Sequence, residues 1–196
     1  KHGAISDTQL IGGLVAVFYA LGHSPDQIET LFSSIDQSRL YGHLQGDGPS
    51  LLGLAGVAAW LEKQLGNLTF DDLKLPCAVT AVDLKTSHEV ILSEGSLCDA
   101  LLATIALPGI FPPRRIGDWE LVDGGTLDPV PVSVARELAP TLPVVAVSLT
   151  ASIGEPERTL QVIFPGVPHR IARRIARLRP AQALDIFLQA VEVGGR

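Results

Sequence analysis

The chain has 196 residues, of which 46% are hydrophobic and 18% charged. That is the length of one domain with enough apolar material for a sizeable core, which excludes disordered and fibrous classes. The formal net charge of −6 argues against a nucleic-acid partner, because that binding rests on neutralising phosphates.

Residues 10–21, LIGGLVAVFYAL, are apolar almost all round and predict a buried helix that stops at Gly22. In HSPDQIETLFSSI, Ser24 is a candidate N-cap, Pro25 suits the first helical position, and Gln27 completes a capping box. Ile28, Leu31, Phe32 and Ile35 then share one face of a second helix. Residues 41–50, YGHLQGDGPS, form a glycine-rich loop, which reads equally as a lid or as an exposed connector. Residues 50–65 predict an amphipathic helix with Leu51, Leu54, Val57, Trp60, Leu61 and Leu65 inward. TFDDL is a short helical start capped by Thr69.

PCAVTAVDL and HEVILSEG predict two strands joined by a turn around Lys85–Ser87. Residues 96–107 predict a helix capped by Ser96, with Asp99 at capping-box spacing. PGIFPP is a rigid loop, WELVDGG a strand ending at Asp123, and 131–138 a helix with Pro131 near its first turn. LPVVAVSLT, residues 142–150, is β-branched and apolar, as in a strand buried on both faces. Residues 151–168 are irregular, and 169–193 form helical segments broken at Pro180. Alternating helices and apolar strands predict an α/β sandwich with a mainly parallel central sheet flanked by helices.

No apolar run is long enough for a membrane-spanning helix. Two cysteines, Cys77 and Cys98, lack metal-ligand spacing and read as thiols in a reducing compartment. The five histidines are scattered, without a zinc pattern. The sequence contains no methionine and opens at Lys1, which leads us to expect that residues precede those given.

One stretch carries chemistry. In ELVDGGTLDPVPV an apolar run ends at an acid, Asp123, followed at once by Gly124 and Gly125. Function in α/β folds collects at the carboxyl ends of strands. Asp123 is therefore a candidate general base, while the two glycines admit the close approach of another segment. The alternative is a simple Asp-Gly turn in which the carboxylate bonds its own backbone. Asp83 reads as a structural turn residue and Asp128 as a turn former before Pro129. Trp60 and Trp119 read as packing residues. The basic run HRIARRIARLRP, with Arg170, Arg173, Arg174, Arg177 and Arg179, is either a solvated helix face or an interfacial helix for anionic lipid.

From Leu75 to Val147 the chain resembles the patatin-like phospholipase family. The resemblance rests on the strand pair after LP, the helix leading into PGIFPP, and DGG followed by P-V-P. FYALGHSPDQIETLF resembles the helix pair after that family's nucleophile, and the likeness extends over roughly residues 12–150. It implies a patatin-like three-layer sandwich and a lipid acyl hydrolase working through a Ser–Asp dyad. Asp123 matches the acid, with Gly124 and Gly125 supporting the motif. It implies no metal or organic cofactor and a lipid or small-ester substrate. The basic run would suit peripheral membrane contact, and the absence of a signal-peptide pattern leads us to expect a cytoplasmic location.

Residues 1–196 are expected to be one such domain, incomplete at the N-terminus, with a helical extension over 151–196. The family's nucleophile sits in a G-x-S-x-G turn before the buried helix. Here the corresponding stretch, Thr8 to Gly12, reads TQLIG, with Leu10 at the serine's place. The nucleophile and the oxyanion donors are therefore unassigned. Three accounts stand side by side: the serine lies outside these residues, the dyad has lost it in a lipid- or protein-binding homologue, or another serine such as Ser6 serves.

Overall fold

The computed structural model describes residues 8–36, 39–45, 47–48 and 50–147. Ser6, the basic run at 169–179 and the expected 151–196 extension lie outside the described residues.

Helix α1 runs Thr8–Ala20. It is only half buried: Leu14, Val17, Phe18 and Ala20 face the core, while Val15 and Tyr19 are exposed. The all-round burial expected from its composition is thus corrected to a one-sided contact. The chain leaves α1 through Gly22 at φ 98° and enters helix α2, Pro25–Ser33. There Ser24 and Gln27 satisfy each other's backbone amides, as the capping box predicts.

Helix α3 occupies Ala55–Leu65 and starts five residues later than the apolar periodicity suggests. Its predicted first turn is drawn instead into loop pairing: the Leu51 and Leu52 amides donate to the Gly109 and Ile110 carbonyls. The glycine-rich loop is therefore tied to the PGIFPP loop. Phe18, Phe32 and Trp60 meet edge-on or tilted at centroid distances of 5.7–6.1 Å, locking α1, α2 and α3 together.

Four strands form one sheet: β1 Val79–Asp83, β2 His88–Leu92, β3 Arg114–Ile116 and β4 Trp119–Asp123. The order is β2-β1-β4-β3, and every pairing within this sheet is antiparallel. The mainly parallel sheet expected from the sequence is therefore not what these residues build. The strands that pair are hairpin partners or lie on either side of the helical connection Leu97–Thr104. Strand β3 has no counterpart among the elements expected from the sequence. It is the short partner of β4 across a two-residue Gly117-Asp118 turn, with Gly117 at φ 57°.

Helix α4, Leu97–Thr104, lies between β2 and β3 in the chain and packs on β1, β3 and β4. Every residue of its Ala100–Thr104 stretch is buried. The main core joins α4 to Leu14, Val17 and Phe18 of α1, Leu61 and Leu65 of α3, and Val79, Ala81 and Leu121 of the sheet. On the opposite face, Val82 and Val122 form a small buried cluster with Leu84 beside it. Helix α5, Val132–Leu138, follows with Pro131 at its N-cap.

The run after α5 departs most from expectation. Residues 142–147 carry no strand, and Leu142, Val145 and Val147 are 66%, 84% and 70% exposed. A strand needs a neighbour to take its amide and carbonyl groups, and none of the described strands pairs with this run.

Candidate active site

Asp123 stands at the last position of β4, and Ala81 of β1 is its cross-strand partner. Side chains alternate across a sheet, so the Asp123 carboxyl shares the face of Leu121 and Ala81, the face that α4 covers. It is only 3% exposed. Burial pushes its pKa from 3.8 up to about 6, against the smaller opposing effect of the Gly125 amide.

The two carboxylate oxygens differ. Oδ1 accepts the Gly125 amide at 2.8 Å and so closes the turn, as the plain Asp-Gly reading anticipates. Oδ2 has no donor among the described residues. The Asp123 amide donates to the Ala106 carbonyl at 3.0 Å, which ties the strand end to the exit of α4. The bend and the buried carboxyl therefore coexist.

Gly124 opens the 3-10 turn Gly124–Thr126 and lies hard against β1. A Cβ there would sit 2.4 Å from Thr80 Oγ1 and 2.5 Å from the Thr80 carbonyl oxygen, so only glycine fits. At Gly125 the described role is the amide given to Asp123. The start of α1 approaches the same layer. A Cβ on Gly13 would lie 3.0 Å from Thr104 Cγ2 and 3.3 Å from Val79 Cγ1. Thr104 Oγ1 in turn donates to the Thr80 carbonyl at 2.8 Å. A continuous stack thus runs from α1 through Thr104 and Thr80 to the turn that holds Asp123.

The backbone from Thr8 to Gly12 is part of α1, so the strand-to-helix turn expected around TQLIG is replaced by helix. No serine among the described residues hydrogen-bonds to the Asp123 carboxyl, whose bond is to the Gly125 amide. Asp83 and Asp128 behave as expected. Asp83 accepts from the Glu120 amide at 3.0 Å and the Thr86 hydroxyl at 2.8 Å, and Asp128 accepts from the Val130 amide at 3.1 Å. Burial of Asp83 would raise its pKa, but the hydrogen bonds from Glu120, Thr86 and Lys85 together hold it below the ordinary value. Trp60 packs, partly buried, against the core, whereas Trp119 is 46% exposed at the start of β4, so the packing role expected of it is not seen. No group of His, Cys, Asp and Glu among the described residues is arranged to hold a metal. Nor is any described helix long and apolar enough to cross a membrane.

The Thr80–Thr104 pair and the approach of Gly13 are not among the features expected from the sequence. Gly13 inside an apolar helix is the available signal, since glycine there favours close packing over helix stability, whereas Gly12 faces open space.

A family model described as patatin-like phospholipase matches residues 11–136. The chain belongs to the patatin-like phospholipase family. The match opens within α1 and closes within α5, so it contains the whole stack around Asp123. Uncharacterized NTE family proteins, Rv1063c of Mycobacterium tuberculosis and Mb1092c of Mycobacterium bovis, are 32% identical over 113 residues. That alignment covers 58% of this chain and 30% of theirs. Another Mycobacterium tuberculosis NTE family protein, Rv2565, is 35% identical over 69 residues, 35% of this chain and 12% of its own length. The chain therefore spans less than a third of the length of these NTE family relatives.

Proposed function

We propose that this patatin-like chain belongs to a lipid acyl-ester hydrolase in which Asp123 is the general base of a Ser–Asp dyad. The observation that carries the reading is the state of that carboxyl. It is buried at a strand end, titrates at about 6, and keeps one oxygen without a donor among the described residues. A base that must work near neutrality needs such a pKa, and it needs a free lone pair for the incoming proton. An ordinary surface aspartate offers neither the basicity nor the dry surroundings.

In the proposed reaction, a serine from outside the described residues attacks the ester carbonyl carbon. Its hydroxyl proton passes to Asp123 Oδ2 as the oxygen–carbon bond forms. The tetrahedral intermediate collapses, and the same proton goes to the departing alcohol. Water then attacks the acyl-serine, again giving its proton to Asp123, which returns it to the serine. Throughout, the Gly125 amide keeps the carboxyl from rotating. Lipid substrates and peripheral contact with a membrane belong to this same proposal.

The test compares short-chain p-nitrophenyl ester turnover by the native protein with that by Asp123→Asn. The substitution is expected to lower kcat by roughly 10²- to 10⁴-fold. Below pH about 6 the native rate is expected to fall, because the base becomes protonated. Equal rates for the two proteins would reject Asp123 as the base.

A second reading is favoured by one observation: the residues at the nucleophile's place are helical, and the chain contains no G-x-S-x-G. On that reading the chain is an inactive homologue that binds lipid or a protein partner. A fluorophosphonate probe separates the two, since only the hydrolase is labelled.

A further inference from the structure

Thr104 occupies the last position of α4, where a threonine ordinarily bonds back to the carbonyl four residues earlier. Here its hydroxyl reaches across the chain to the Thr80 carbonyl at 2.8 Å. Both threonines are 8% exposed, so the bond lies in dry surroundings and does not compete with water. Because threonine is branched at Cβ, its methyl and hydroxyl directions are fixed together. The hydroxyl is spent on β1, and the methyl rests on α1 at Gly13.

The Thr80 carbonyl is a shared point. It accepts the Thr104 hydroxyl, and its oxygen and carbon lie where a Gly124 side chain would be, at 2.5 and 2.6 Å from an ideal Cβ. The neighbouring Asp123 amide is held by Ala106, two residues beyond Thr104. The end of α4 therefore grips the turn twice: once directly through Ala106, and once through Thr104, Thr80 and Gly124. Removing the second grip leaves the first as a hinge, about which the carboxyl can swing toward water.

We propose that Thr104 is a positioning residue, whose hydroxyl fixes the Asp123 turn against β1. The proposal rests on the general-base reading of Asp123, but its test does not require turnover.

The experiment follows the Asp123 carboxyl by carbon NMR across pH in the full protein, for native, Thr104→Val and Thr104→Ser. Valine keeps the shape and removes the hydroxyl, whereas serine keeps the hydroxyl and removes the methyl. With valine the titration midpoint is expected to fall by about one pH unit, as water reaches the carboxyl. With serine it is expected to stay at the native value. A structural hydroxyl alone would lower the unfolding midpoint without moving this titration. An unchanged midpoint in a folded valine variant overturns the proposal, as does an equal fall with serine. Should valine prevent folding, Thr104→Ala against Thr104→Ser isolates the hydroxyl in the same way, and equal midpoints there again overturn it. A hydroxyl-dependent midpoint in a protein that hydrolyses no ester would keep the positioning role and reject the hydrolase reading instead.

Discussion

Gly124 makes the sharpest structural demand at the residue scale. The acid before it is legible in the sequence because a carboxylate placed directly between Leu121-Val122 and two glycines is conspicuous. The reason for the glycine after it is legible only in outline: some close approach is implied, but not that the partner is the Thr80 backbone. A Gly124→Ala substitution would force a methyl within 2.4–2.6 Å of Thr80 atoms, two of them main chain. Main chain in a buried strand yields poorly, so β1 and the turn must part. We expect a loss of about 2 kcal/mol, in the usual range for overpacking. Urea denaturation would measure it, with ester turnover falling in parallel. Native stability in Gly124→Ala would mean that the turn is looser than its contacts indicate.

Hairpins and caps are the elements most readable from sequence. Ser24, Pro25 and Gln27 act within one turn of chain, and the β1–β2 hairpin is local too, so the signals and their outcomes share the same few residues. Strand β3 is hard to read because three residues give almost no periodicity, although Gly117-Asp118 between two β-prone runs marks a two-residue turn. The strand expected at 142–150 fails over its described residues for a different reason. Its composition is that of a strand, but a ladder is a property of two segments, and nothing in LPVVAV specifies the second. Alternating helices and strands suggest parallel pairing, while the described strands pair as antiparallel neighbours.

Asp83 shows how one side chain secures an element junction. It ends β1, accepts the Thr86 amide and hydroxyl, and takes the Glu120 amide of β4. Asp83→Ala would leave these donors without their acceptor, and we expect a loss of about 3 kcal/mol. The carboxyl's pKa is lowered in the folded state, so its stabilising effect is present above the ordinary aspartate value and fades as pH falls through the depressed one. A urea midpoint for Asp83→Ala that matches native at neutral pH would count against this account.

The whole molecule carries the cost of keeping one carboxyl dry. The candidate site is partly legible in the sequence: the acid, its glycines and the resemblance to patatin-like phospholipases are there to read. The layer beside the acid's turn is not, because Gly13, Thr80 and Thr104 come from α1, β1 and α4 and meet only after folding. That layer has a thermodynamic signature. The Asp123 pKa is about 6 in the folded state against an ordinary 3.8, so the folded state holds this proton over that interval and the unfolded chain does not. Asp123 therefore favours the folded state most fully below pH 3.8, and that contribution is lost as pH rises through about 6. A tenfold change in proton affinity corresponds to about 1.4 kcal/mol, so the complete loss amounts to about 3 kcal/mol. Asp123→Asn keeps the shape and cannot ionise. The stability of native protein minus that of Asp123→Asn should accordingly fall by about 2 kcal/mol between pH 4 and pH 6.5, the greater part of that loss. The variant is then the more stable protein near neutrality while it loses ester turnover. Denaturant titrations of both proteins at closely spaced pH values would trace this difference. A flat trace would mean that water reaches the carboxyl freely, and with that the physical basis for a base poised near neutral pH disappears.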